Sequence, residues 1–166
     1  MRNVVAFLLF LAVTGIARAQ DPLVDRIEIF ETGIYKTEIT KVTASPGTPT
    51  GDVHEVTNIR HLRTTASVPA KLGVEFGFRY RIVGNPHGWP VTLNFVTLIP
   101  APGIRNPTTG NTITRGEYSG RATLGAEAGR YYGFDHEWEI VPGTWTLEIW
   151  QGDRRLASQS FTVVKP

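Results

Sequence analysis

Asp135, His136, Glu137, Trp138 and Glu139 form the densest run of reactive groups in this chain. Read as a strand, the run places Asp135, Glu137 and Glu139 on one face, where carboxylates could hold a hard cation or work as an acid/base pair. Asp135, His136 and Glu137 would then be the centre of a metal-assisted or acid/base hydrolase. A hard-metal site wants six or more oxygens, and a catalytic pair needs a partner and a cleft. Neither is visible in the sequence. The competing reading is a solvent face or loop whose charges pair with Arg130 or Arg121.

Other motifs fail on spacing. His54-Glu55 opens like the zinc-protease helix motif, but Asn58 stands where the second His belongs, and the segment reads as loop and strand. Ser119, in Glu117-Tyr118-Ser119-Gly120, lacks the Gly-x-Ser-x-Gly frame of a nucleophile elbow. His54, His61, His87 and His136 show no ligand spacing, and no Gly-rich phosphate loop follows a strand. No catalytic residue and no cofactor are expected.

Aromatic residues give the better lead. Trp89 sits in a Pro-bracketed loop beside His87, and Tyr118, Tyr131 and Tyr132 fall in or near other loops. Trp150 is expected on an outer strand face, where a guanidinium of Arg79 or Arg81 could stack on it if their strand neighbours the last hairpin. Loops on a rigid scaffold carry binding function, and Trp and Tyr supply much of the energy at interfaces. The plain alternative is that Trp89 folds back to plug one end of the fold.

The elements that must position these groups are strands. Period-two alternation recurs from Gln20 onward, broken by Gly and Pro clusters, and no apolar helical spacing is sustained. Strands are expected over 24–37, with a bulge at Gly33, and over 56–67, 74–82, 91–99, 112–124 and 130–134. A final hairpin runs from Trp145, Leu147 and Ile149 through the turn 151–154 to Phe161 and Val163. The clearest strand sets Val74, Phe76, Phe78, Tyr80 and Ile82 on one face and Glu75, Gly77, Arg79 and Arg81 on the other. Seven to eight such strands predict an all-β fold, a two-layer antiparallel sandwich of immunoglobulin-like build without the Cys-Trp-Cys pattern.

The first nineteen residues read as an address. Arg2 is the positive region, 4–16 the apolar stretch, and Ala17-Arg18-Ala19 a small-x-small cleavage site, so cleavage is expected between Ala19 and Gln20. Thirteen residues fall short of the roughly 20 that span a bilayer. Residues 20–166 are then one exported domain, periplasmic or secreted, with no membrane span. Lys and Arg total 17 against 15 Asp and Glu; Arg2 and Arg18 leave with the leader, so the remainder balances at 15 and 15. With no basic run longer than Arg154-Arg155, nucleic acid is excluded as a partner. The 147 residues left from 166 suffice for a core of their own, without the disulfides that export permits, since Cys is absent.

Several blocks in order resemble a bacterial family of exported domains known only as a domain of unknown function. They are Gly33-Ile34-Tyr35, Thr64-Thr65 with Val68-Pro69-Ala70, and Leu72-Gly73-Val74-Glu75-Phe76-Gly77, then Pro102-Gly103. Glu139-Ile140-Val141-Pro142-Gly143-Thr144-Trp145 and Phe161-Thr162-Val163 complete the series. The resemblance implies a compact all-β fold and carries over no activity. The sequence therefore points to a monomeric, non-catalytic binding module that meets an envelope protein or glycan through loop aromatics. The alternatives are the hydrolase above and a structural or chaperone-like adaptor that pairs through an edge strand.

Overall fold

The computed structural model describes residues 22–165; the expected leader, 1–19, lies outside them. Eleven strands and one short 3-10 turn are found among the described residues. The strands are β1 (Arg26–Ala44), β2 (Asp52–Arg63), β3 (Ser67–Pro69), β4 (Glu75–Val83), β5 (Pro90–Leu98) and β6 (Ile104–Arg105). They continue as β7 (Thr112–Ile113), β8 (Arg115–Thr123), β9 (Glu127–Gly133), β10 (Gly143–Gln151) and β11 (Arg154–Val164). The turn covers Glu137–Glu139. β3, β6 and β7 have two or three residues each, which is why the count exceeds the seven to eight long strands that alternation predicts.

The strands form two sheets, β2-β1-β4-β9 and β3-β11-β10-β5-β8, with β6 and β7 as a separate pair. All pairings are antiparallel except that of β11 with β3. Alternation sets the layers. Phe76, Phe78, Tyr80 and Ile82 of β4 are each at most 2% exposed, and they share one core with Leu93 of β5 and Trp145, Leu147 and Ile149 of β10. Each such burial contributes roughly 1.5–3 kcal/mol. A one-residue slip of β4 would swing Arg79 and Arg81 inward, so the register is fixed. In place of a disulfide the centre holds Trp145, whose ring meets those of Tyr132, Phe134 and Phe76 at 4.9, 5.6 and 5.9 Å. Its indole N–H donates to the Val141 carbonyl at 2.8 Å.

One element departs from a plain sandwich and makes the site. β1 runs for 19 residues, further than alternation suggests, because its two halves have different partners. Residues 26–35 pair with β4, while residues 34–44 pair with β2. Register shifts recur at Ile29/Glu31, Ile34/Tyr35, Lys36/Glu38 and Ile39/Lys41. Each shift bends and twists the strand, so the second half of β1 and all of β2 leave the sheet as a two-stranded arm. The tip, residues 45–51, reaches the opposite sheet: the Glu117 N–H on β8 donates to the Gly47 carbonyl at 2.8 Å. Buried Asn106 donates from Nδ2 to the Pro49 carbonyl at 3.1 Å. The arm thereby straps the flank on which β8 and β9 are the outermost strands.

Candidate functional site

Beneath the strap lies a cleft of about 170 Å³, bounded by the arm, β9, β8 and the segment after β9. Its inner wall carries Arg130. Alternation along β9 puts Arg130 on the same side as Tyr132, which turns it between the sheets, and it is only 6% exposed. The guanidinium lies 5.3 Å from the Tyr118 ring and 5.9 Å from that of Phe95. Nη2 donates to Thr97 Oγ1 at 2.6 Å and Nη1 to the Tyr131 carbonyl at 3.0 Å, while Nε has no partner. Among the described residues no carboxylate lies within 4.0 Å of it. A buried cation without a counter-ion is costly.

Two other buried groups in the cleft lack partners, Glu75 Oε2 and the Tyr131 hydroxyl. Tyr131 lies against Tyr35, ring centres 4.7 Å apart, and burial pushes its hydroxyl pKa up to about 12, so it stays protonated. Other polar groups of the cleft are engaged with one another. His54 stands between Asp52 and Asp135, its two ring nitrogens 3.6 Å from one carboxylate each. Glu139 accepts from the Tyr132 hydroxyl at 3.0 Å and from the His136 N–H at 2.8 Å. Burial raises the Glu139 pKa to about 7; the Asp135 charge adds to the rise, and the Tyr132 and backbone hydrogen bonds offset part of it.

The acidic run is therefore arranged differently from a strand face. Residues 134–142 leave β9 as a loop, and the 3-10 turn folds Glu139 inward while Asp135, His136 and Glu137 remain exposed. His136 stacks on Trp138, ring centres 5.2 Å apart, and neither it nor Glu137 lines the cleft. Asp135 faces His54 instead of Arg130 or Arg121. Among the described residues no three His, Asp or Glu side chains converge as a metal site requires. The hydrolase trio is not assembled, and neither is the three-carboxylate face.

The aromatics divide. Tyr118, Tyr131 and Tyr132 stand on strands β8 and β9, inside the strands expected over 112–124 and 130–134, and all three line the cleft. Trp89, 55% exposed, and exposed His87 sit on the β4–β5 loop and line nothing. Trp150 is half-buried, and its indole N–H donates to Glu148 Oε2 at 2.9 Å. The cation over its ring is Arg155 at 5.9 Å, because Arg79 and Arg81 belong to the other sheet. Trp150 pairs with Asn94, so roughly 17 Å of β5 separates it from Trp89. The six residues do not make one surface. Arg130 and Glu75 were not among the residues the sequence suggested for binding, although an Arg in phase with Tyr132 and Phe134 is a signal that one charge points inward.

The fold is shared with a solved structure. An immunoglobulin-like protein from Pseudomonas aeruginosa is 27% identical, with a TM-score of 0.58; the match covers 89% of this chain and 99% of that one. No curated protein matches. The profile of a family described as a domain of unknown function (DUF3859) matches residues 23–163, which span both sheets, the strap and every residue of the cleft; the chain belongs to that family.

Proposed function

We propose that this domain is a non-catalytic binding module whose site is the strapped cleft, occupied by a small polar ligand. One observation carries the reading: Arg130 lines the cleft, is 6% exposed, and among the described residues has no carboxylate within 4.0 Å. A ligand acceptor would supply the missing partner. Tyr118, Tyr131 and Tyr132 are the aromatic residues that line it. The volume is below the roughly 300–1,000 Å³ that drug-sized ligands occupy, which favours a small molecule over a glycan chain or a protein. No Ser or Cys lines the cleft to act as a nucleophile.

The apolar leader and its small-x-small site support work outside the cytoplasm. Mass spectrometry of protein from the envelope fraction should find an N-terminus at Gln20. Pairing through an edge strand has less support. The β8–β9 flank is strapped, β3 is three residues long and ends in Pro69, and β2 carries exposed Glu55, Arg60 and Arg63.

The test of the binding reading is thermal shift against small polar metabolites. A ligand at a hundred times its Kd adds about 2.7 kcal/mol, worth several degrees in Tm at this size. R130M should abolish the shift. A panel without effect on either protein would leave Arg130 as a packing residue and end the reading.

A further inference from the structure

We propose that β2 pairs with β2 of a second copy of this chain, antiparallel and edge to edge, making a two-fold dimer through the arm. The pairing does not depend on what occupies the cleft. β2 ends its sheet, so one edge of its 12-residue backbone has no partner strand among the described residues. Such an edge is a template for another strand. Exposed Glu55 and Arg60 deter a strand of arbitrary sequence, but they fit a second β2.

Place the two-fold axis at the Thr57–Asn58 peptide, and each residue from His54 to His61 meets a counterpart in the other copy. Glu55 meets Arg60, Val56 meets Ile59, Thr57 meets Asn58, and His54 meets His61, each couple occurring twice. Opposed residues of an antiparallel pair must share a face. The members of each couple are an odd number of positions apart, which in a regular strand would put them on opposite faces. A bulge removes the conflict. Thr57 and Arg60 pair with Glu38 and Lys36, so β2 carries one extra residue between them, and Asn58 sits there with a φ of 48°. Alternation inverts at that point. Val56 and His61 accordingly pair with Ile39 and Tyr35, on one face of β1, while Thr57 and Arg60 lie with Glu38 and Lys36 on the other. His54 and Ile59 follow the first face by alternation, and Glu55 the second. An unrelated regular strand would lose its facing at Asn58, whereas a second copy carries the same inversion at the axis.

Charge and apolar exposure favour the same partner. Lys36 and Arg60 stand opposite each other, both exposed, and among the described residues neither has a carboxylate within 4.0 Å. Like charges so placed repel, and Glu55 of the other copy answers them. Ile59 is 42% exposed, and in the dimer it covers Val56 of the other copy, beside Ile39.

The test is sedimentation equilibrium of the protein, which should show a reversible dimer. E55R and R60E each turn two attractive couples into repulsive ones and should raise the dimer Kd at least about tenfold. Mixed in equal amounts, the two variants should associate with each other, because every couple between them again joins opposite charges. That recovery also shows both variants to be folded. The E55R/R60E double variant should self-associate like the parent. A parent that stays monomeric up to millimolar concentration would overturn the proposal. So would a dimer that neither variant weakens, or weakened variants whose mixture does not associate.

Discussion

Arg130 and Thr97 join the two sheets through a 2.6 Å hydrogen bond from Nη2 to Oγ1, β9 to β5, both residues buried. The hydroxyl fixes one edge of the guanidinium and the Tyr131 carbonyl another, while Nε is buried without a partner. Both contacts hold the guanidinium in place between the sheets.

T97V should therefore destabilise the protein by about 1.5–3 kcal/mol, the usual worth of a hydrogen bond to a charged group. T97S, which keeps the oxygen, should recover most of it. Urea denaturation of the three proteins measures the difference, and equal midpoints for T97V and the parent would show that Thr97 does not hold Arg130.

Glu139 makes stability depend on pH in a particular direction. Its pKa in the fold is near 7, against an ordinary 4.5, so between those values the native state binds more protons than the unfolded chain. This group's contribution is full below about pH 4.5 and is lost as pH rises through 7, by about 3 kcal/mol in all. E139Q should flatten that segment and be the more stable protein at pH 8. Thermal melts from pH 4.5 to 8 read the effect, and a parent-minus-variant difference that does not move with pH would refute it.

Trp145 and Trp89 should separate sharply on truncation. W145A removes a fully buried ring that meets three others and should cost about 3–5 kcal/mol. W89A removes a ring that is 55% exposed and should stay within about 0.5 kcal/mol of the parent. Chemical denaturation supplies both values, and a large loss for W89A would place that ring in contact with the fold.

The strap should loosen when Asn106 is truncated. Asn106 donates to the Pro49 carbonyl and accepts from the amides of Thr108 and Thr109, holding the tip and its own turn together. N106A should speed hydrogen exchange at the Glu117 amide, which bonds to Gly47, and leave core amides of β4 and β10 protected. Unchanged exchange at Glu117 would mean that the tip is held by other contacts.

How far the sequence reaches can be followed strand by strand. Phe76, Phe78, Tyr80 and Ile82 announce an inward face by period alone, and Trp145, Leu147 and Ile149 do the same; all seven lie in the core. Such parity is local. The cleft is not local. It depends on four register shifts along β1, which leave no pattern in residue type, and on a tip that meets Glu117 some seventy residues later. The sequence offers Arg130 as a charge partner for the acidic run, since Arg side chains mostly face water. Its parity with Tyr132 and Phe134 contradicts that reading. Tyr118, Tyr131 and Tyr132 fall within expected strands, but the small-residue turn expected at 125–129 is partly strand, since β9 begins at Glu127. In the fold, Gly77 across from Tyr131 leaves no room for a β-carbon against the Arg130 carbonyl, so glycine here marks close strand approach.

The strap has a second consequence, for the company the protein keeps. β8 and β9 end their sheets, and a bare sheet end is a template on which another chain can crystallise its own strand. The arm occupies that flank, and its tip satisfies the Glu117 amide. The arm that walls the cleft is therefore also the segment that covers those strand ends.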